Sequence, residues 1–430
     1  MKRFHSVNTQ SASICTYFLN LFTVLAVMVI VLAGPRAFAG EAEQEVVPVK
    51  FDIQLDTVME HDEGDFLWFH PRVAAVPGAG KDGAPLVVMT LQKHLHKSDY
   101  YSGTSYMRTA DLGKTWEGPF LPPELDWIEV SDTEQISVAD VTPGWHAPTG
   151  KVIAIGVHLV YRNGQQVYDK PRMRVGAYAV CEPKTDAWTR WRKLETPHDE
   201  DTFFVVTPGC TQWIVEPDGS ILLPFYFHGA GETLSKSTVA RCAFNGETLS
   251  YVEHGDELAI DVPRGFGEPS IAKYKGRYFL SIRNDQKGYV TVGDDGLHYA
   301  KPVPWTFDDG AELGSYNTQQ HWLVHEDGLF LTYTRRGAGN DHIMRHRAPL
   351  FIAQVDPQRL CVIRATEKIL IPERGATLGN FGAAAISPRE SWVTVAEGVW
   401  NDDARKRGAK GAVFVARVLW HRPNTLAVPE

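Results

Sequence analysis

Three arginines stand at the ends of short apolar runs, far apart in the chain. Arg72 precedes Val73-Ala74-Ala75-Val76, Arg283 closes Leu280-Ser281-Ile282, and Arg347 precedes Leu350-Phe351-Ile352-Ala353. A guanidinium is a planar fork that grips a carboxylate by two parallel hydrogen bonds, so arginines brought to one place would form a carboxylate cradle. Glu268 opens the segment that leads to Arg283, and a two-residue turn at Lys275-Gly276 would put both at one end of a hairpin. Arg345 competes with Arg347 for the third place, and Arg335-Arg336 could substitute. The plainer reading of that basic cluster, with His342 and His346, is a solvated rim.

A second group of residues suits sugar recognition. Between 314 and 322 the chain packs Tyr316, Asn317, Gln319 and His321 into one loop before a strand. Aromatic rings stack on sugar faces, amides pair with hydroxyls, and an imidazole titrates near neutrality and can move a proton. The alternative is a core loop whose amides satisfy backbone groups. His70, His94 and His96 lie close to Arg72 in sequence and could serve as the base instead. An arginine-neutralised carboxylate beside a His or Tyr base (Tyr100, Tyr316 or His321) is also what elimination from a uronate needs, because neutralisation acidifies the adjacent C–H. Metal binding has little support. His342/His346 and His94/His96 are spaced as pairs, but no third ligand is evident and arginines flank the first pair. No metal and no cofactor are expected.

The elements that must position these groups are strands. Helical periodicity is nearly absent past the N-terminal region. Short apolar or alternating runs recur at 86–91, 152–159, 174–180, 220–227, 278–283, 329–334, 350–355 and 392–396. They are joined by hairpin dipeptides, Asp218-Gly219, Asn245-Gly246, Asp295-Gly296 and Asp327-Gly328. Pro122-Pro123 and the 302–304 stretch read as turns between sheets. Many short strands with tight turns over this length mean repeated small sheets around a centre. Two segments add a finer pattern, Thr109-Ala110-Asp111-Leu112-Gly113-Lys114-Thr115-Trp116 and a degenerate copy from Val292 to Tyr299. In each, Asp caps turn amides, Gly takes positive φ, and the aromatic packs back under the turn.

These segments resemble the Asp-box of the sialidase (neuraminidase) superfamily, whose β-propellers carry it as a structural turn. The resemblance implies an all-β fold of six or seven blades. It further implies that Arg72, Arg283 and Arg347 bind a carboxylate, with the family's Phe/Tyr-Arg-Ile-Pro motif distorted here to Phe69-His70-Pro71-Arg72-Val73. Glu268 would be the carboxylate that polarises a partner, and Asp99 the acid/base in the loop before the first Asp-box. At the place of the family's nucleophilic tyrosine this chain has Asn380, in Leu378-Gly379-Asn380-Phe381-Gly382. Asparagine cannot perform that step, although it can still line a substrate site.

The remaining sequence bounds compartment and partners. Lys2 and Arg3 precede an apolar run over 17–33, then Gly34-Pro35 and Ala37-Phe38-Ala39. That is the form of a signal peptide over 1–39, leaving a propeller domain over 40–430. An uncleaved anchor is the alternative. Formal net charge is −9, which argues against nucleic acid and against electrostatic membrane binding. Of five cysteines, Cys15 leaves with the leader; Cys181, Cys210, Cys242 and Cys361 permit disulfides but equally suit buried thiols. The expectation is a periplasmic or extracellular enzyme resembling exo-α-sialidases that takes a terminal acidic sugar from a glycan. A uronate lyase or histidine-dependent glycosidase and a non-catalytic acidic-glycan binder are the alternatives.

Overall fold

The turn over 109–116 shows how side chains fix the turns. In this computed structural model, which describes residues 46–95, 99–167, 174–197 and 202–427, Asp111 Oδ1 accepts from the Thr115 amide at 2.9 Å and Oδ2 from the Thr115 hydroxyl at 2.7 Å. Thr109 Oγ1 accepts from the Gly113 amide, and Leu112 and Gly113 take positive φ. Those donors hold the Asp111 carboxyl down at about 2. Trp116 then folds back to within 6.1 Å of Trp392, on a neighbouring sheet. In the second copy Asp295 caps the Leu297 and His298 amides, and the Tyr299 hydroxyl donates to Gly296 O.

Turns of this kind produce six antiparallel sheets. Blade I runs Leu67–Val76, Leu86–His94, Tyr101–Thr109 and Glu117–Phe120. Blade II is built on Glu134–His146, Lys151–Arg162 and Gly176–Glu182, with short strands at its edges. Blade III has Val205–Thr207 and Ile214–Val215 inside, then Ile221–His228, Lys236–Phe244 and Leu249–His254. Blade IV is Gly267–Tyr274, Arg277–Arg283, Gly288–Gly293 and Val303–Pro304. Blade V is His321–His325, Gly328–Tyr333 and Leu350–Asp356, with Cys361–Val362 and Lys368–Ile371 outside. Blade VI is Gly382–Ser387, Glu390–Ala396 and Ala412–Trp420, and its outer strand is Phe51–Glu60 from the start of the described chain. Phe51 lies opposite Trp420 and Asp56 opposite Val415. This pairing closes the ring and covers an edge that would otherwise stay open.

The hydrophobic core lies between adjacent blades. Ala74 and Val88 of blade I meet Val152, Ala177 and Trp188 of blade II, and Ile155 and Tyr178 meet Phe225 and Ala240 of blade III. Each expected strand run lies within or overlaps a strand of these sheets. Val303–Pro304, expected as a turn, is the short edge strand of blade IV, a position that tolerates proline because no further strand needs its N–H. Cys181, Cys210, Cys242 and Cys361 are four buried free thiols. Among the described residues no helix is long and apolar enough to cross a membrane. The leader expected over 1–39 and His96 lie outside the described residues.

Candidate functional site

Several inner strands are interrupted as they approach the axis. Their register slips between Phe69 and Arg72, between Ala139 and Thr142, and between Gly267 and Ser270. The residue at each slip has left-handed φ: His70 54°, Asp140 57°, Glu268 43°. Cys210 in blade III (59°) and Asn317 ahead of the blade V strand (54°) adopt the same conformation. A β-carbon opposes this geometry by about 1–2 kcal/mol, and such strain collects at functional sites. A bulge also re-aims the side chain it carries.

The five re-aimed side chains meet one another or shared partners. His70 Nε2 is 2.9 Å from Asp140 Oδ1, and Cys210 Sγ is 3.0 Å from the same oxygen. Arg72 Nη2 donates to Cys210 Sγ at 3.1 Å. Glu268 accepts from Arg283 Nη1, while Arg283 Nη2 donates to Asn317 Oδ1 at 2.9 Å and to Asp285 at 3.2 Å. Arg347 Nη2 donates to the Asn317 carbonyl. Glu268, Arg283, Asn317 and Arg347 thus form one cluster. The side chains of Arg283 and Glu268 are 9% and 13% exposed, so their pair is shielded from water.

The electrostatics are asymmetric. Burial and then the neighbouring Arg283 push the Arg347 pKa down to about 10, against the pull of Glu268. Its Nε is buried with no partner among the described residues, as is Glu268 Oε2. Burial also opposes the charge on Arg283, but Glu268 and Asp285 outweigh it and hold that pKa up. Burial works against the Asp140 carboxylate too, yet His70, Arg72 and Cys210 together keep it well below the usual range. Burial, then Asp140, pushes the Cys210 thiol far up, so it is a thiol and not a thiolate. Gly379 leaves room for the arginine: a β-carbon there would sit 2.3 Å from Arg347 Cδ.

Other expected residues sit differently. Arg72 is 1% exposed; besides Cys210, it donates to Val141 O and Phe381 O, so it braces blades I, II and VI from below. His321 was expected to move protons. Its ring is instead buried between Ser270 Oγ (3.0 Å) and Phe381 O (3.1 Å), and burial followed by Arg72 pushes its pKa down to about 3. Neither nitrogen is open, so the catalytic reading of His321 is corrected to a structural one. Gln319 also lies in this floor, accepting from Thr318 and donating toward Phe381 O. Tyr316 stands at the rim, its hydroxyl 2.6 Å from His346 Nδ1 and its ring under Arg336. Asp99 is exposed with φ 45°, and its carbonyl accepts from the Tyr161 hydroxyl. Asn380 is half-buried between Gly379, whose carbonyl accepts from Thr318, and Phe381. Arg335 is held by Glu367 and does not substitute for Arg347. A separate cavity of about 870 Å³ is lined by Arg72, His321, Thr142, Gln212 and Trp213, and by none of the four cluster residues.

Sequence reading missed Asp140, Cys210 and Tyr226. Tyr226 lines a small cleft with Glu268, Arg283 and Asp285, and burial raises its pKa. A shared signal existed: in His70-Pro71-Arg72, Asp140-Val141-Thr142, Cys210-Thr211-Gln212, Glu268-Pro269-Ser270 and Asn317-Thr318-Gln319, two polar residues flank a third just before or within an inner strand. His70, Asp140 and Cys210 also place a nitrogen, an oxygen and a sulfur within 4.8 Å of one another. A soft divalent ion could bridge such a set, but Arg72 already donates to the sulfur.

No family model and no curated protein matches the sequence. Solved structures do match in shape. The Hadza microbial sialidase is 14% identical with a TM-score of 0.59, over 84% of this chain and 68% of that one. The Trypanosoma rangeli sialidase is 12% identical with a TM-score of 0.56, over 85% of this chain and 59% of that one. The NanB sialidase of Streptococcus pneumoniae is 10% identical with a TM-score of 0.56, over 85% and 70%. This chain therefore spans under two thirds of the Trypanosoma enzyme's length. With six sheets among the described residues and these neighbours, the chain is a sialidase-like β-propeller in fold.

Proposed function

We propose that this chain is an exported carbohydrate-active enzyme that holds the carboxylate of a terminal acidic sugar between Arg283 and Arg347 and hydrolyses its link to a glycan. The observation that carries the reading is the Arg347 guanidinium. It is half-buried near a second cation, its pKa is depressed, and its buried Nε lacks an acceptor among the described residues. A cation in that state weakens the empty protein and strengthens the hold on an anion. The Trypanosoma rangeli sialidase, similar in fold, has been solved in complex with sialic acid, a sugar of this class. The charged-then-apolar leader supports export.

The chemistry departs from the family route at Asn380, which cannot act as its tyrosine does. That departure favours a second reading, elimination from a uronate, which uses the same cradle but needs a base and no nucleophile. The test is a panel of glycans ending in sialic, glucuronic or galacturonic acid and of glycans carrying a 4-O-glycosylated uronate, followed by release of sugar reducing ends and by ultraviolet absorbance of unsaturated product. Hydrolysis releases sugar without the absorbance, elimination gives both, and a binder gives neither. Arg283→Ala and Arg347→Ala are expected to abolish turnover while the fold persists. Full activity in both variants, or equal activity on neutral glycans, would refute the cradle.

A further inference from the structure

We propose that His70 is the general base of this site, positioned by Asp140, an inference that rests on the carboxylate cradle read above. Two adjacent blades each bend an inner strand into the left-handed region to bring these side chains together. His70 is 2% exposed, and its Nε2 lies 2.9 Å from Asp140 Oδ1. Asp140 is ionised, so it can only accept. The imidazole must then donate from Nε2, and in its neutral form Nδ1 holds a lone pair. Nδ1 is buried and has no partner among the described residues. A histidine fixed at one nitrogen by a carboxylate and left unsatisfied at the other is arranged to take a proton from something that enters the site.

The surroundings fit that role. The groups facing His70 are Asp140 from blade II and the rings of Phe69 and Tyr101 from blade I, at 5.6 and 5.0 Å. Behind Asp140 stand Cys210 and Arg72. Arg72 also donates to Phe381 O, two residues past Gly379, and Gly379 lies against the Arg347 side chain, so this backbone segment ties the pair to the cradle. In hydrolysis Nδ1 takes a proton from a water while the water oxygen bonds to the anomeric carbon. The bond from that carbon to the leaving oxygen breaks, the leaving oxygen takes a proton from solvent, and the imidazolium later gives its own proton back to solvent. Asp140 touches no substrate in this scheme; it is a positioning residue.

The test uses the full chain labelled with ¹⁵N-histidine. Long-range proton–nitrogen spectra, with His70 assigned by its loss in His70→Gln, should show the Nε2–H tautomer, and Asp140→Asn should weaken that preference. On the glycan found by the panel, His70→Gln should bind within about threefold of the parent but lose at least about 100-fold in turnover. Asp140→Asn should displace the acid limb of the pH–rate profile. His70→Asn serves if the glutamine variant fails to fold. A His70 proton on Nδ1 would overturn the pair whatever the glycan panel returns, as would a His70→Gln enzyme with more than a tenth of parental turnover. So would one equivalent of transition metal retained by the parent and lost in Cys210→Ser, since a metal centre would then own these residues. A parent that cleaves no acidic glycan, yet shows the Nε2–H tautomer, would refute the cradle and leave the pairing standing.

Discussion

Replacing Arg347 by Met should separate binding from stability. The methionine keeps most of the arginine's length and apolar stem while removing the buried charge. In the empty protein that charge is disfavoured: burial and Arg283 push its pKa down to about 10, a cost on the order of 3 kcal/mol. Loss of its hydrogen bond to the Asn317 carbonyl offsets part of the gain, about 1–3 kcal/mol. The fold should therefore be no less stable, and melting should hold or rise by a few degrees. The acidic sugar loses a charge-assisted contact worth about 2–5 kcal/mol, so its dissociation constant should rise roughly 30- to 5,000-fold. Calorimetric titration with the sugar and a thermal melt on the same samples give both numbers. A variant that melts far lower while binding the sugar as tightly as the parent would refute the reasoning, because Arg347 would then be a structural cation.

Gly379→Ala places a β-carbon 2.3 Å from Arg347 Cδ, so it should displace the guanidinium and weaken acidic-sugar binding at least about tenfold with little change in melting; titration and circular dichroism check both. Acid should destabilise the protein in a set direction. Asp140, Asp285 and Asp111 are held below their unfolded values. Their contribution is therefore complete above about pH 4 and is lost as pH falls through the folded values. Denaturant unfolding from pH 7 to 3 should show that slope, and Asp140→Asn should flatten it. The thiols at 181, 210, 242 and 361 should react with a thiol reagent only after unfolding, because all four are buried and unpaired; reaction of fewer than four in the denatured mature chain would reveal a disulfide.

How much of this could be read from the sequence depended on the range of the interaction. Strands and turns are local, so the apolar run over Ile221–His228 and the Asp295-Gly296 turn were visible in adjacent residues. The Glu268–Arg283 pair was legible because one short hairpin joins the two, and Gly267 lies opposite Arg283. Blade number was left at six or seven because pairing of the first strand with the last leaves no local mark. The role of Arg72 was hidden by distance: its Nε donates to a carbonyl 309 residues away. His321 was misread because sequence shows that an imidazole is present but not that Ser270 and Phe381 occupy both nitrogens. Tyr226 looked like one more member of an apolar strand. The left-handed residues at the axis break local preference, and local reasoning fails where strain is tolerated for a site.

The most direct measurement is a crystal structure of the chain with the acidic sugar that binds best. The account predicts a sugar carboxylate within hydrogen-bonding distance of Arg347 Nε and of the Arg283 guanidinium, with the ring over the axis. A sugar seated in the cavity on the far side of His321, or one whose carboxylate points to solvent, would contradict it.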